Sequence, residues 1–142
     1  MDIQVKYLVD GIDPIGQAHP GEWIDLRCAE DVRMWKGDFK KIPLGVVIVV
    51  PSGYECILVP RSSTFQKYAI IQTNGIGVID HSYCGPEDEW KMPVFAVCDT
   101  YIPKNARIAQ FKIVPSQGDV VIREVKEVSN PSRGGFGSTG EQ

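Results

Sequence analysis

The chain has no apolar run long enough to cross a bilayer. Its longest, Val46 to Val50, falls far short of the ~20 residues that a spanning helix needs. The opening segment Met1-Asp2-Ile3-Gln4-Val5-Lys6-Tyr7 also lacks the apolar stretch of a secretory leader. The expectation is a soluble cytoplasmic protein without a membrane partner. There is no basic excess either: 15 Lys and Arg against 18 Asp and Glu leave a formal charge of -3, which argues against a nucleic-acid surface. The 4 cysteines include no CxxC pair, so zinc-knuckle and thioredoxin-type sites are not expected. Spacing alone leaves disulfides open, but free and mostly buried thiols in a reducing compartment are the better reading of Cys28, Cys56, Cys84 and Cys98. No dense carboxylate cluster is present, so an all-protein cage for a divalent cation is not expected. None of this excludes a phosphorylated ligand, because a few placed Arg, Lys and backbone N–H groups can hold one in an acidic protein.

What the chain does have is strand signal and turns. Its 142 residues suit one domain, its 43% apolar content can form a core, and 14 Gly with 10 Pro favour turns over long helices. Ile3, Val5, Tyr7 and Val9 alternate as on a half-buried strand. Gly45 to Val50 and Tyr54 to Val59 are β-branched runs, and Pro51-Ser52-Gly53 between them reads as a hairpin-like connection. Further strands are expected at Tyr68–Gln72, Val78–Asp80, Val94–Cys98, Ala106–Val114 and Val120–Val125. This rhythm is that of an all-β sandwich or barrel. Only Ser63–Tyr68 reads as a helical turn, with Ser62 or Ser63 available as its cap. From Ser129 onward the chain is rich in Gly, Ser, Pro and Thr and carries one aromatic, Phe136. Such a tail is either solvated or a Gly-rich arm that folds over an anion.

Several segments carry candidate chemistry. Pro60-Arg61-Ser62-Ser63 opens the helical turn and sets hydroxyls and free N–H groups beside a guanidinium, a weak anion signal by itself. Gly75-Ile76-Gly77-Val78-Ile79-Asp80 turns tightly and ends on a carboxylate. An acid at the end of a buried strand is poised for base work or metal contact, although a turn-terminating Asp is the plainer reading. Arg107-Ile108-Ala109-Gln110 alone is a strand with polar ends.

Together and in order, these segments resemble the motifs of the trimeric dUTPase family. Trp23-Ile24-Asp25-Leu26-Arg27-Cys28-Ala29 is similar to the first, and Pro60-Arg61-Ser62-Ser63 with Lys67 to the second. Asn74 to Asp80, with Tyr83 and Gly85, is similar to the third, Arg107 to Gln110 to the fourth, and Arg133 to Gly140 to the fifth. The resemblance covers residues 21–140. It implies a distorted jelly-roll β-barrel or sandwich with one short helix, forming a homotrimer with active sites at subunit interfaces. The β domain would occupy residues 1–128, and residues 129–142 would be an arm closing over an active site.

The implied reaction is hydrolysis of dUTP to dUMP and pyrophosphate by water attack on the α-phosphorus. This limits uracil incorporation into DNA and supplies dUMP for dTMP synthesis. Asp80 would activate the water. Mg²⁺ would bridge the phosphates, with Asp25 reaching it through a water. Ser62 would bond near the scissile bridge, while Arg61, Ser63, Gln110 and Lys67 would position the phosphates or the site's walls. Asn74, Gly77, Val78 and Ile79 would read uracil, largely through main-chain groups. Tyr83 would lie under the deoxyribose and clash with a ribose hydroxyl. Phe136 would stack on the base, and Arg133, Ser138 and Thr139, with Gly137 in the same arm, would grip the outer phosphates.

The chain departs from the family pattern at four places. Trp23-Ile24 replaces a small pair before Asp25, as in Gram-positive and phage-type members. Ser82 stands where a second Asp is common. Pro86-Glu87-Asp88-Glu89 reads as a small insertion, and Arg133 sits closer to Phe136 than is usual. Two rival readings stay in view. A dCTP deaminase would need a Glu in Met92–Asp99, which has none, and a nucleotide-gated regulatory protein would need a partner protein.

Overall fold

The computed structural model describes residues 1–135; Phe136, Gly137, Ser138 and Thr139 lie outside the described residues. The strands are β1 (Gln4–Tyr7), β2 (Ile24–Arg27), β3 (Val32–Met34), β4 (Phe39–Pro43), β5 (Val46–Val49) and β6 (Tyr54–Pro60). After the helix α1 (Thr64–Tyr68) come β7 (Ile70–Gln72), β8 (Gly77–Asp80), β9 (Lys91–Ala96), β10 (Thr100–Ile102) and β11 (Arg107–Pro115). Every pairing is antiparallel. One sheet has the order β2-β11-β6-β8, another β4-β9-β7, and β1-β5 and β10-β3 are two-stranded.

Alternation builds the core. Cys56 and Leu58 of β6 point inward, as do Met92, Val94 and Ala96 of β9. In β11 the consecutive residues Ile108 and Ala109 are both buried, which period 2 forbids on a regular strand. A register shift between Arg107 and Ala109 resolves this: an irregularity there re-aims one side chain. Trp90 and Phe111 meet edge to face, centroids 5.1 Å apart at 74°. Truncating either buried ring to Ala would cost about 3–5 kcal/mol.

Several connections differ from the sequence expectation. Pro51-Ser52-Gly53 does not close a hairpin, because β5 pairs with β1 whereas β6 pairs with β11 and β8. It is a corner between sheets, closed by Tyr54 N–H donating to the Pro51 carbonyl at 3.1 Å. Likewise, Thr73 to Ile76 carries the chain from β7 in one sheet to β8 in another, so the Asn74–Ile79 segment is a crossover. The strand expected at Val94–Cys98 begins earlier, at Lys91, and four short strands (β2, β3, β4 and β10) carried too little pattern to be foreseen.

No strand forms at Val120–Val125. Val121 and Ile122 are each 84% exposed, because the segment finds no strand to pair with among the described residues. Helix α1 is present, but Ser63 occupies its N-cap position without a side-chain cap bond. Thr64, buried at the helix start, instead ties the preceding strand end to β11. Its Oγ1 accepts from Arg61 N–H at 3.0 Å and donates to the Ile108 carbonyl at 2.8 Å. The cysteine expectation holds in part: all four thiols are free, and Cys28 and Cys56 are buried, but Cys98 is exposed. Burial pushes the Cys28 thiol up to about 11 and Cys56 up to about 12.

Candidate active site

Two clusters of polar side chains sit at opposite ends of β6. The first surrounds Arg61. Asp25 on β2 pairs across the sheet with Gln110 on β11, and Gln110 in turn lies opposite Val59 on β6. This row delivers three distant segments to one place. Arg61 Nε approaches Asp25 Oδ1 at 3.1 Å, and Arg107 Nη1 approaches Oδ2 at 3.4 Å. Gln110 Nε2 donates to the Pro60 carbonyl at 3.2 Å, tying β11 to the strand end that presents Ser62 and Ser63. The result is a patch with two guanidinia and one half-buried carboxylate. A cleft of about 280 Å³ opens beside it, walled by Trp23, Asp25, Arg27 and Arg107. Lys112 covers the Trp23 ring, its Nζ 5.7 Å from the centroid.

The second cluster surrounds Asp80, at the end of β8. That strand, expected to be buried, is an edge strand that alternates between buried and exposed residues, and Asp80 at its end is exposed. Ser82 fixes the carboxylate: its N–H donates to Asp80 Oδ1 at 2.9 Å and its hydroxyl donates to the same oxygen. These two bonds, the hydroxyl's first, hold the Asp80 carboxyl below the usual carboxylate range. Asp80 is thereby ionised and oriented. Sequence reasoning treated Ser82 as the loss of a second acid and missed this role. The Asp-x-Ser spacing, typical of a side chain bonding backbone two residues on, was the available signal. His81 turns away, as alternation requires, with Nδ1 on the Val50 carbonyl.

A cleft of about 540 Å³ lies beside Asp80, lined by Asn74, Gly77, Val78, Ile79, Tyr83 and the strand leading from Trp90 to Lys91, among others. Gly75 has φ +70°, a conformation that favours glycine, and lets the chain turn into β8. Gly77 is needed for a different reason: a Cβ there would meet Leu58 Cβ at 3.2 Å. The Tyr83 hydroxyl donates to the Glu89 carbonyl at 2.8 Å, which pins the ring against the cleft. Burial first, then Asp88 and Glu89, push its phenol up and keep it neutral. The Pro86–Glu89 insertion is a compact turn. Gly85 N–H bonds Asp88 Oδ2 at 2.9 Å, and Glu89 Oε2 accepts from Gly45 N–H at 3.0 Å.

The site residues inferred from sequence therefore divide. Asp25, Arg61, Ser62, Ser63 and Gln110 gather at one end of β6, and Asn74, Gly77, Val78, Ile79, Asp80 and Tyr83 at the other. Asp80 pairs with Glu55, six positions along β6 from Arg61, or about 20 Å at ~3.3 Å per residue. Arg133 is exposed in a segment with neither strand nor helix and is brought to neither group. Among the described residues no three His, Cys, Asp or Glu side chains gather to hold a metal ion.

An open antiparallel β architecture with two polar clefts and one short helix defines a class. Comparison with known proteins supplies the family. Residues 23–140 match the dUTPase family model. The chain is 49% identical, over 99% of both chains, to a deoxyuridine 5'-triphosphate nucleotidohydrolase from the SPbeta prophage of Bacillus subtilis. It is 40% identical, again over 99% of both, to the enzyme of that name from Hydrogenobaculum. The chain belongs to the dUTPase family. Its fold matches the Staphylococcus bacteriophage 80alpha dUTPase solved with dUPNHPP, with a TM-score of 0.78, 23% identity and coverage of 98% of each chain. It also matches a dUTPase from phage phi11 of S. aureus that coordinates a structural Mg(II) ion, with a TM-score of 0.75, 19% identity and coverage of 89% and 98%. The jelly-roll class expected from the sequence is thus the fold observed.

Proposed function

We propose that this protein hydrolyses dUTP to dUMP and pyrophosphate, with Asp80 as the residue that activates water. The observation that carries this reading is the cleft of Asn74, Gly77 and Tyr83 ending on an ionised, Ser82-oriented carboxylate. A carboxylate held low is a weak base. Its work is to orient the water and to take its proton as attack on the α-phosphorus makes that proton acidic. Tyr83, pinned by Glu89, gives the deoxyribose a rigid floor that leaves no space for a 2′-hydroxyl. Val78 and Ile79, on an edge strand, present main-chain groups to a uracil.

The grip on the phosphates is assigned to Arg61, Ser62, Ser63 and Gln110, joined by Arg133, Phe136, Gly137, Ser138 and Thr139 of the arm over residues 129–142. Because about 20 Å of β6 separates Arg61 from Asp80, one chain cannot apply both groups to one α-phosphorus. This supports a homotrimer whose sites lie between subunits. The exposed Val120, Val121, Ile122, Val125 and Val128, in a segment with neither strand nor helix, support it further, since apolar side chains of this kind are normally covered.

Mg²⁺ fits the donor set present. With one half-buried carboxylate and no cluster, the residues suit an ion that keeps its waters and binds phosphate oxygens, Asp25 touching it only through a water. Such an ion, when bound, offsets charge on the leaving pyrophosphate. The decisive experiment is incubation of the protein with dUTP and Mg²⁺, alongside UTP, dCTP and dTTP. Release of pyrophosphate from dUTP alone is expected, and none from dUTP refutes the reading.

A further inference from the structure

Gln72 is a polar side chain at the inward end of β7, only 6% exposed and shielded by apolar neighbours. Its amide does two things at once. Nε2 donates to the Leu58 carbonyl at 3.1 Å, and also to Asn74 Oδ1 at 2.8 Å. The first bond settles the second. Leu58 offers only a carbonyl, so the Gln72 nitrogen must face it, and the same nitrogen can only donate to Asn74. Asn74 is therefore held with its oxygen turned back, which leaves its Nδ2, a donor, for the cleft that Asn74 lines. The buried Gln72 Oε1 has no hydrogen-bond partner among the described residues. A buried acceptor left unpaired is unfavourable, so an amide retained here points to a role for its two donors.

Gln72 also spans the crossover. β7 and β6 belong to different sheets, and this side chain is the bond that joins them just before the turn into β8. Gly77 lies directly beside this bond: a Cβ there would be in ordinary contact with Nε2 at 3.6 Å.

We propose that Gln72 is a specificity-determining positioning residue, whose amide fixes which end of Asn74 faces the nucleobase. A donor at that place pairs with a ring carbonyl and opposes an exocyclic amine, so the arrangement favours uracil over cytosine. The inference rests on the dUTP-hydrolysing reading above.

The test is steady-state kinetics on dUTP and dCTP with the full chain and with Gln72→Met and Gln72→Glu. Gln72→Met keeps the volume and removes both donors. It is expected to raise KM for dUTP roughly tenfold with kcat little changed, and to lower the dUTP over dCTP preference. Gln72→Glu offers acceptors instead, turns the Asn74 oxygen toward the base, and lowers the preference further. Preference unchanged in both folded variants overturns the proposal, even if their thermal stability falls. Should the variants fail to fold, the wild-type chain decides: the side-chain NH₂ resonances of Asn74 shift on adding dUMP, and an absence of shift overturns the assignment. A wild-type protein that releases no pyrophosphate from dUTP refutes the enzyme reading itself, whereas an active wild type with unselective Asn74 refutes only Gln72's role.

Discussion

The two ends of β6 were built by different means. At the Arg61 end, regular sheet does the work: cross-strand register sets Asp25 beside Gln110, and Arg61 and Arg107 close on the same carboxylate from either side. At the Asp80 end the scaffold is a turn on an edge strand, and orientation comes from short local bonds, Ser82 to Asp80 and Tyr83 to Glu89. The contrast is instructive. A charged patch for binding tolerates exposure and needs only placed cations, whereas a reacting group needs its lone pairs aimed. The two ends belong to one reaction only if a second chain brings them together.

That dependence can be broken most severely at the Asp80 end. Asp80→Asn should lower hydrolysis by at least ~10³-fold while nucleotide binding persists, measured by pyrophosphate release and by titration calorimetry with dUMP. Near-normal turnover would remove Asp80 from the mechanism. Mixing subunits sharpens the comparison itself. Asp80→Asn and Arg61→Ala proteins, each inactive, should regain roughly a quarter of wild-type activity when unfolded and refolded together, if each site takes one residue from each of two chains. No recovery would mean that the ends do not share a site.

If the arm excludes water and holds the outer phosphates, as proposed, truncation after Asn130 should lower activity about 100-fold with the β fold intact by circular dichroism. Unaltered rates would place the arm outside the site. The smallest effect is expected from Ser82→Ala. Its hydroxyl holds the Asp80 carboxyl low, so its removal raises that pKa, and the acid limb of kcat/KM moves to higher pH. The remaining Ser82 N–H bond keeps the shift modest, and an acid limb that stays in place would separate Ser82 from Asp80.

Much of the fold was legible in the chain. β5 and β6 announced themselves as β-branched runs bounded by turn residues, a local signature. β3 and β10 did not, since three residues carry no period. Lys40 and Lys41 masked β4 by placing two charges where alternation was sought. Val120–Val125 misled in the opposite sense: β-branched residues describe a strand, but a strand needs a partner, and this segment has none among the described residues.

The site shows the same division. Asp25, Arg61, Asp80, Tyr83 and Gln110 came forward through the resemblance of five ordered segments to the family's motifs, each segment being a weak signal by itself. Their distribution did not. The short connector at Pro51–Gly53 looked like a hairpin, yet it passes between sheets, as Thr73–Ile76 does, and pairing partners are chosen by packing across the whole core. Hence the sequence by itself determined the longer strands, the turn-rich all-β character and the candidates for the reacting groups. Only the tertiary structure decided that Ser82 aims Asp80, that Gln72 turns Asn74, and that the two ends of β6 stand apart, because hydrogen-bond direction and strand register exist only once distant segments meet.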